Sequence, residues 1–495
     1  MVKFEEYLKK YKEIGFIKKI SQSIVYVEGL PGINVSEIVI FENDLLGQVY
    51  SVDEDYVEVL ILSKGILNVG LKVARTNNRL RISVGEHLLG KTFNPIDMIS
   101  MSVDEKKSAD SRYIDTDPPG LSIRRNVSAP FVTGVTVIDL VLPLGKGQRE
   151  LVIGDRKTNK TQFLLQCLHT QALFGTICIY TSIAKRRADI ASFELYFKDN
   201  KIINNTIMIA TNPDEQPGLV YLTPYVAMSV AEYFRDQGKN VFVVFDDLSA
   251  HAKYYREISL MSGRFPGRNS YPGDIFYIHS RLLERAGNFG YTNNGKESEV
   301  SITCMPIAEM VMGDLSGYIQ TNLMAMTDGH IFFDRDYFNQ GRRPPINPFL
   351  SVTRVGRQAQ SNLSRELTTK LTSFLVKYEK LKEFMHFGAE LSEETQKLLL
   401  VGNKITNLLE QFHGVIIPYN LSVIMFSMIW SGYWNEKNPT QLKNELLKVD
   451  KFYRSNPEFR KYIDDLIEQS NTFSTLIDKL KNNQMNIYQY ISNVK

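Results

Sequence analysis

The 495 residues amount to about three domains of ordinary length, which excludes one compact core. Lys and Arg total 58 against 55 Asp and Glu, so the net charge of +3 supplies no electrostatic footprint for nucleic acid. Hydrophobic residues at 43% and charged residues at 23% match ordinary globular usage and exclude an intrinsically disordered chain.

The chain opens with MVKFEEYLKKYKEIGF, charged and amphipathic, without the apolar h-region or small-residue cleavage site of a secretory signal. Residues 1–22 are expected to form a helical segment, and the protein is expected in the cytosol. From Ser23 to Gly90 short β-branched runs (SIVYVEGL, SEIVIF, LLGQVYSV, YVEVLIL, ILNVGLKV, RLRISVG) alternate with turns, at the 8–12-residue spacing of a small barrel or sandwich. This predicts a β-barrel domain over 23–92. Pro95, Pro118, Pro119, Gly120 and Pro130 then mark a connecting stretch.

From Gly134 to Gly356 apolar strand-like runs (RELVIG, TICIYTSI, TIMIATN, NVFVVFDD, ITCMPIA, HIFFD) are separated by helix-length stretches, the order that builds a parallel sheet. An α/β domain is expected over 93–364. Past Arg365 the period becomes helical, with Leu367, Leu371, Phe374, Leu375, Tyr378 and Leu381 on one face, so 365–495 is expected to be all helix. Leu421 to Trp434 is the most apolar late stretch, but it is too short and too broken by serines to span a membrane. Cys167, Cys178 and Cys304 include no CxxC pair, so neither a disulfide framework nor a thiolate metal site is indicated. The seven histidines show no HxxxH or HExxH spacing, and His279 and Arg281 read as packing or surface groups.

The strongest chemical signal is ELVIGDRKTNKTQFLLQCL. An apolar strand runs into Gly154, then Asp155, Arg156, Lys157, Thr158 and Asn159, and Lys160 and Thr161 open a helix. This nearly fits GxxxxGK[ST], a loop whose backbone N–H groups cradle phosphates, whose Lys reaches the β/γ oxygens and whose Thr hydroxyl ligates magnesium. Asn159 stands where glycine is usual, and Asn accepts positive φ better than other side chains. In NVFVVFDDLS an apolar strand ends in Asp246 and Asp247. A phosphate loop needs such a carboxylate from a neighbouring strand, and Asp246 with Thr161 forms the expected magnesium set.

PLGKGQRELVIGDR, FDDLSAHAKYYREISL, YPGDIFYIHSRLLERA, TDGHIFFD and RPPINPFLSVTRVGRQAQ closely resemble the alpha subunits of F-type ATP synthases, over roughly Gln22 to Pro418. Glu436 to Lys495 match that family poorly. The resemblance implies an N-terminal β-barrel, a RecA-like nucleotide-binding domain and a C-terminal helical domain. It also implies a hexamer in which this chain alternates with a catalytic beta-type subunit around a gamma-type central shaft. Stator and membrane partners would place the assembly at the cytoplasmic face of the plasma membrane, with no span of its own. ATP or ADP with Mg2+ is the implied ligand. Arg343 is implied at the phosphates, Phe338 on the adenine and Gln411 at the adenine edge, while His413 stands where a second Gln is expected.

Beta subunits carry a Glu after the strand that follows the phosphate-loop helix, and alpha subunits carry Gln. Here CIYTSIAKRRAD places Lys185 there. An ammonium cannot activate water at neutral pH without a large pKa depression, so the chain's own pocket is expected to be non-catalytic, and Asp189 lies about a helical turn from the position of a base. Arg354, in SVTRVG, matches the arginine that reaches into the neighbouring active site, where a guanidinium stabilises the transferred phosphoryl. Three roles stay open on the sequence: a subunit of a proton-coupled synthase, a subunit of a rotary-type motor recruited to motility or transport, and a structural subunit with dead sites.

Overall fold

A computed structural model describes residues 4–103, 110–385, 392–411 and 414–482 of the chain. A closed six-stranded barrel, a central α/β region and a series of C-terminal helices follow one another, the architecture expected from the changes in hydrophobic period. Packing gathers these elements into two bodies interleaved along the chain. One is Met1–Asn126, Gly147–Arg156 and Gln171–Asp328; the other is Val127–Lys146, Lys157–Thr170 and Gly329–Lys495.

In the first body the barrel strands are Ile14–Ser21, Ile24–Glu28, Glu37–Phe41, Leu46–Val52, Val57–Ile61 and Lys72–Arg79, closed in the spatial order first, second, fifth, fourth, third, sixth. Alternate residues point inward, as the two-residue period of a strand requires. Ile17, Val25, Val27, Val39, Phe41, Val57, Val59 and Ile61 meet in one core. Ile24 and Leu60 face outward and pack with Ile258.

The expected helical segment 1–22 is corrected here. The helix stops at Tyr11 and Ile14–Ser21 is a barrel strand, paired on one side with Ile24–Glu28 and on the other with Lys72–Arg79. Those two strands would otherwise end in unpaired N–H and C=O groups, and closing the gap outweighs the local helical preference of a charged segment. The far limit moves as well: Arg81–Ser83 pairs with Ser111–Tyr113 outside the barrel, and Thr92–Phe93 joins the central sheet.

That sheet runs, in this body, in the order Glu150–Asp155, Lys296–Met310, Val241–Asp246, Ile177–Ser182, Thr206–Ala210, Thr92–Phe93, each neighbour parallel. Glu150–Asp155, Ile177–Ser182, Thr206–Ala210 and Val241–Asp246 are buried at every residue, as strands covered on both faces must be. All carboxyl ends reach one edge. That edge carries Gly154–Arg156, Asp246–Asp247, the turn after Ser182, and Glu309–Met310.

In the second body Gly329–Phe333 pairs antiparallel with Val352–Thr353. Leu367, Leu371, Leu375 and Tyr378 form the buried stripe of the helix Asn362–Met385. Leu421 through Ile429 are all buried within the helix Tyr419–Trp430, where Phe426 stacks on Phe473 at 5.7 Å. The apolar stretch is therefore the centre of a helical core. Among the described residues no helix is long and apolar enough to cross a membrane.

Candidate functional site

The phosphate loop begins where the buried strand Glu150–Asp155 ends. Gly154 and Asp155 are still in the strand, and the Asp155 carboxylate accepts the Gly313 N–H at 3.1 Å. Arg156 turns outward and pairs with Glu309 at 2.8 Å. The chain then bends through two left-handed residues, Lys157 at φ 62° and Asn159 at φ 66°. Asn159 thus takes the conformation that glycine would hold without steric cost, one that its short polar side chain tolerates. Its carbonyl accepts the Phe163 N–H at 3.2 Å and starts the helix Lys160–Leu173. Thr158 and Lys160 are buried and Thr161 is half-buried. A tight turn running into the N-terminus of a helix of this length presents backbone N–H groups to an anion.

At the same edge of the sheet, Asp246 ends its strand two places from Glu150–Asp155. It is enclosed: Asp246 and Asp247 side chains are 2% and 5% exposed. Lys185 lies between them, its ammonium 2.7 Å from Asp246 Oδ1 and 3.4 Å from Asp247 Oδ2. The Tyr180 hydroxyl donates to Asp246 Oδ2 at 2.5 Å. Burial alone would lower the Lys185 pKa, but the carboxylates of Asp246 and Asp247 outweigh it and raise the pKa above the ordinary lysine range. Burial, with Asp246 adding to it, likewise raises the Tyr180 phenol. Lys185 is therefore a fixed cation, unable to accept a proton from water. Asp189 offers no substitute. It is tied to Arg186 at 2.9 Å in the first turn of the helix Arg187–Asp199, and that hydrogen bond lowers its pKa.

These contacts also test the implied magnesium. Mg2+ binds carboxylate oxygen directly or through its waters and tolerates little distortion of its octahedron. At Asp246 one oxygen already faces an ammonium and the other accepts a phenol, so a divalent cation drawn there would meet a like charge. Asp246, with both oxygens so engaged, does not fit the metal. Among the described residues no group of three or more His, Cys, Asp or Glu side chains could hold one elsewhere.

In the second body the structure brings Phe338, Arg343 and Gln411 together. The Arg343 guanidinium lies over the Phe338 ring at 4.0 Å and donates to the Phe338 carbonyl at 3.0 Å. The Gln411 N–H donates to the Arg343 carbonyl at 2.5 Å. The Gln411 amide is committed to backbone: Nε2 donates to the carbonyls of Gly134 and Val415, and Oε1 accepts the Thr136 N–H at 2.9 Å. At 5% exposure it staples the loop before the helix Thr136–Val141, and an adenine edge would have to displace one of these bonds. His413 lies outside the described residues.

Arg354 follows the two-residue strand Val352–Thr353. The backbone around it is pinned at one carbonyl: the Thr353 hydroxyl donates to Pro143 O at 2.9 Å, and at Gly356 any Cβ would stand only 1.8 Å from that same oxygen. Only glycine permits so close an approach. The Arg354 side chain is exposed, and among the described residues no carboxylate is within ion-pairing distance of it. Its charge is felt by His330, whose pKa is lowered first by burial and further by the guanidinium.

The bland candidates take structural places. His279 is buried against His251 with ring nitrogens 3.0 Å apart, and Arg281 pairs with Asp115 and Asp117. Cys167, Cys178 and Cys304 are free and buried. Reading the sequence missed Tyr180 and the pairing role of Asp247. A tyrosine inside an apolar strand gives no sign of its polar partner, and two adjacent aspartates at a strand end do not show which cation they hold.

Residues 134–353 match the family model described as ATP synthase alpha/beta family, nucleotide-binding domain, and residues 360–487 match the ATP synthase alpha/beta chain, C terminal domain. The second match extends well past Glu436, into the segment expected to diverge from the family. Curated relatives include ATP synthase subunit alpha of Dictyoglomus turgidum, 37% identical over 457 residues covering 90% of this chain and 88% of the relative. ATP synthase subunit alpha 1 of a Marinomonas species is 38% identical over 84% of this chain and 81% of the relative. ATP synthase subunit alpha of Buchnera aphidicola is 36% identical over 83% and 82%. With barrel, α/β sheet and helical region all present, the chain belongs to the ATP synthase alpha/beta family and is similar there to its alpha subunits.

Proposed function

We propose that this chain is a non-catalytic alpha-type subunit that holds a nucleotide in its own pocket and lends Arg354 to the catalytic site of a neighbouring beta-type subunit. The observation that carries this reading is the state of Lys185. Hydrolysis needs a group able to take a proton from the attacking water, and the position carries an ammonium held charged by Asp246 and Asp247. Arg354 supports the second half: it is exposed, its backbone is anchored on both sides, and no carboxylate among the described residues consumes its charge. A guanidinium in that condition can reach a phosphoryl group on another chain.

For the chain's own ligand, ATP or ADP, the loop from Gly154 to Thr161 would hold phosphates. Arg343 and Phe338 form a cation–aromatic pair of the kind that flanks a base and its phosphates, while Gln411 fixes the backbone beside them. The assembly proposed is an alternating hexamer around a gamma-type shaft, peripheral to the cytoplasmic face of the plasma membrane through stator or membrane partners. The test is turnover by the purified full-length chain. It should bind ATP and release no phosphate above background; robust hydrolysis abolished by Lys160→Ala would overturn the assignment.

A further inference from the structure

Resting on the reading that this chain's pocket holds a nucleotide, we propose that Lys185 replaces the divalent cation at Asp246, so that the chain binds its nucleotide without magnesium.

Lys185 follows the strand Ile177–Ser182, whose Ser182 is in register with Asp246, and both lie on the edge of the sheet where the strand bearing Gly154 also ends. Phosphate ligands of open parallel sheets bind outside this carboxyl edge. The backbone that carries Lys185 is itself held: the Lys185 N–H donates to the Thr211 carbonyl at 3.0 Å, and the Ala184 N–H donates to the Thr211 hydroxyl at 3.3 Å. The ammonium is therefore delivered by a fixed turn.

In a phosphate site a divalent cation does two things: it bridges a protein carboxylate to phosphate oxygens and cancels their negative charge. Lys185 is placed for both. One of its three donors is used by Asp246 and another reaches Asp247, and its side chain remains 23% exposed. A compact ammonium is a point-charge phosphate ligand. Tyr180 occupies the second oxygen of Asp246, and Asp247 is further committed as the cap of the helix Leu248–Met261, accepting the Ala250 N–H at 2.5 Å. The carboxylates are thus organised around a monovalent organic cation.

The test measures binding of a fluorescent N-methylanthraniloyl ATP to the purified full-length chain, with excess magnesium and with excess EDTA. The expected result is affinity equal in the two conditions to within about twofold, a difference too small to reflect a lost ligand contact. Lys185→Gln should bind in magnesium and weaken by at least about tenfold in EDTA, since the ammonium that faces Asp246 is then gone and only the metal can supply its charge. Loss of wild-type binding in EDTA would overturn the inference and leave the nucleotide-holding reading intact. Absence of binding in both conditions would overturn that reading and the inference with it. If Lys185→Gln fails to fold, the wild-type comparison alone decides.

Discussion

Lys185 and Arg354 are both cations expected beside a nucleotide, and they meet opposite surroundings. Lys185 is paired with two buried carboxylates, one of which also accepts a phenol, while Arg354 stands exposed on an anchored segment with no carboxylate partner among the described residues. The contrast teaches that position beside a nucleotide does not define a role. A cation whose charge is already matched inside its own body can shape that body's pocket, whereas one left unmatched is available to another chain. The energetic signatures should separate accordingly: removing the matched cation should harm the fold, and removing the unmatched one should harm only the reaction.

The largest effect is expected at the unmatched cation. Arg354→Ala in the complex reconstituted with a beta-type partner should lower the ATPase rate by about 10³–10⁵, the usual worth of an arginine supplied in trans. Its unfolding free energy should move by no more than about 0.5 kcal/mol, as for a surface residue without a structural role. An unchanged steady-state rate would break the comparison at its functional end. Lys185→Ala should show the reverse pattern. It breaks the two ion pairs that Lys185 makes with Asp246 and Asp247, a loss on the order of 2 kcal/mol measurable by urea unfolding of the full chain.

Whether burial itself produces the difference can be sharpened at His251. This ring is fully buried beside His279, and burial lowers its pKa from 6.5 to about 4. The unfolded chain takes up a proton near pH 6.5 and the folded chain does so only near pH 4. This contribution to stability is therefore present above about pH 6.5 and is lost as the pH falls toward 4, in total on the order of 3 kcal/mol. Unfolding free energy should fall with pH across that window in the wild type and fall less steeply in His251→Gln, where the buried His279 still contributes. The smallest change expected is at the phosphate loop. Asn159→Gly restores the residue for which φ 66° costs least, and should alter stability by less than about 1 kcal/mol because Asn already tolerates that conformation.

Much of the fold was legible in the pattern of apolar residues. The runs SEIVIF, YVEVLIL, RELVIG and NVFVVFDD each became a strand because a two-residue alternation or a fully apolar run leaves few other ways to bury those side chains. Ile14–Ser21 was misread because Lys18 and Lys19 interrupt its alternation, and its strand identity depends on partners that come later in the chain. Gln411 could be located but its work could not, since an amide's partners are set by backbone more than two hundred residues away.

By itself the sequence determined which residue types follow the strand that ends at Asp155, that a lysine, Lys185, follows the strand Ile177–Ser182, and that an arginine follows Val352–Thr353. Chemical identity and local period are properties of single residues and short windows, and they need no folded partner to be read. Only the tertiary structure decided that Lys185 is clasped by Asp246 and Asp247, that Tyr180 closes the far side of that carboxylate, and that Arg354 is left unmatched. Charge pairing depends on distances of a few ångströms between residues remote in the chain, and the folding of the sheet edge and of the segment at Pro143 brings those distances about.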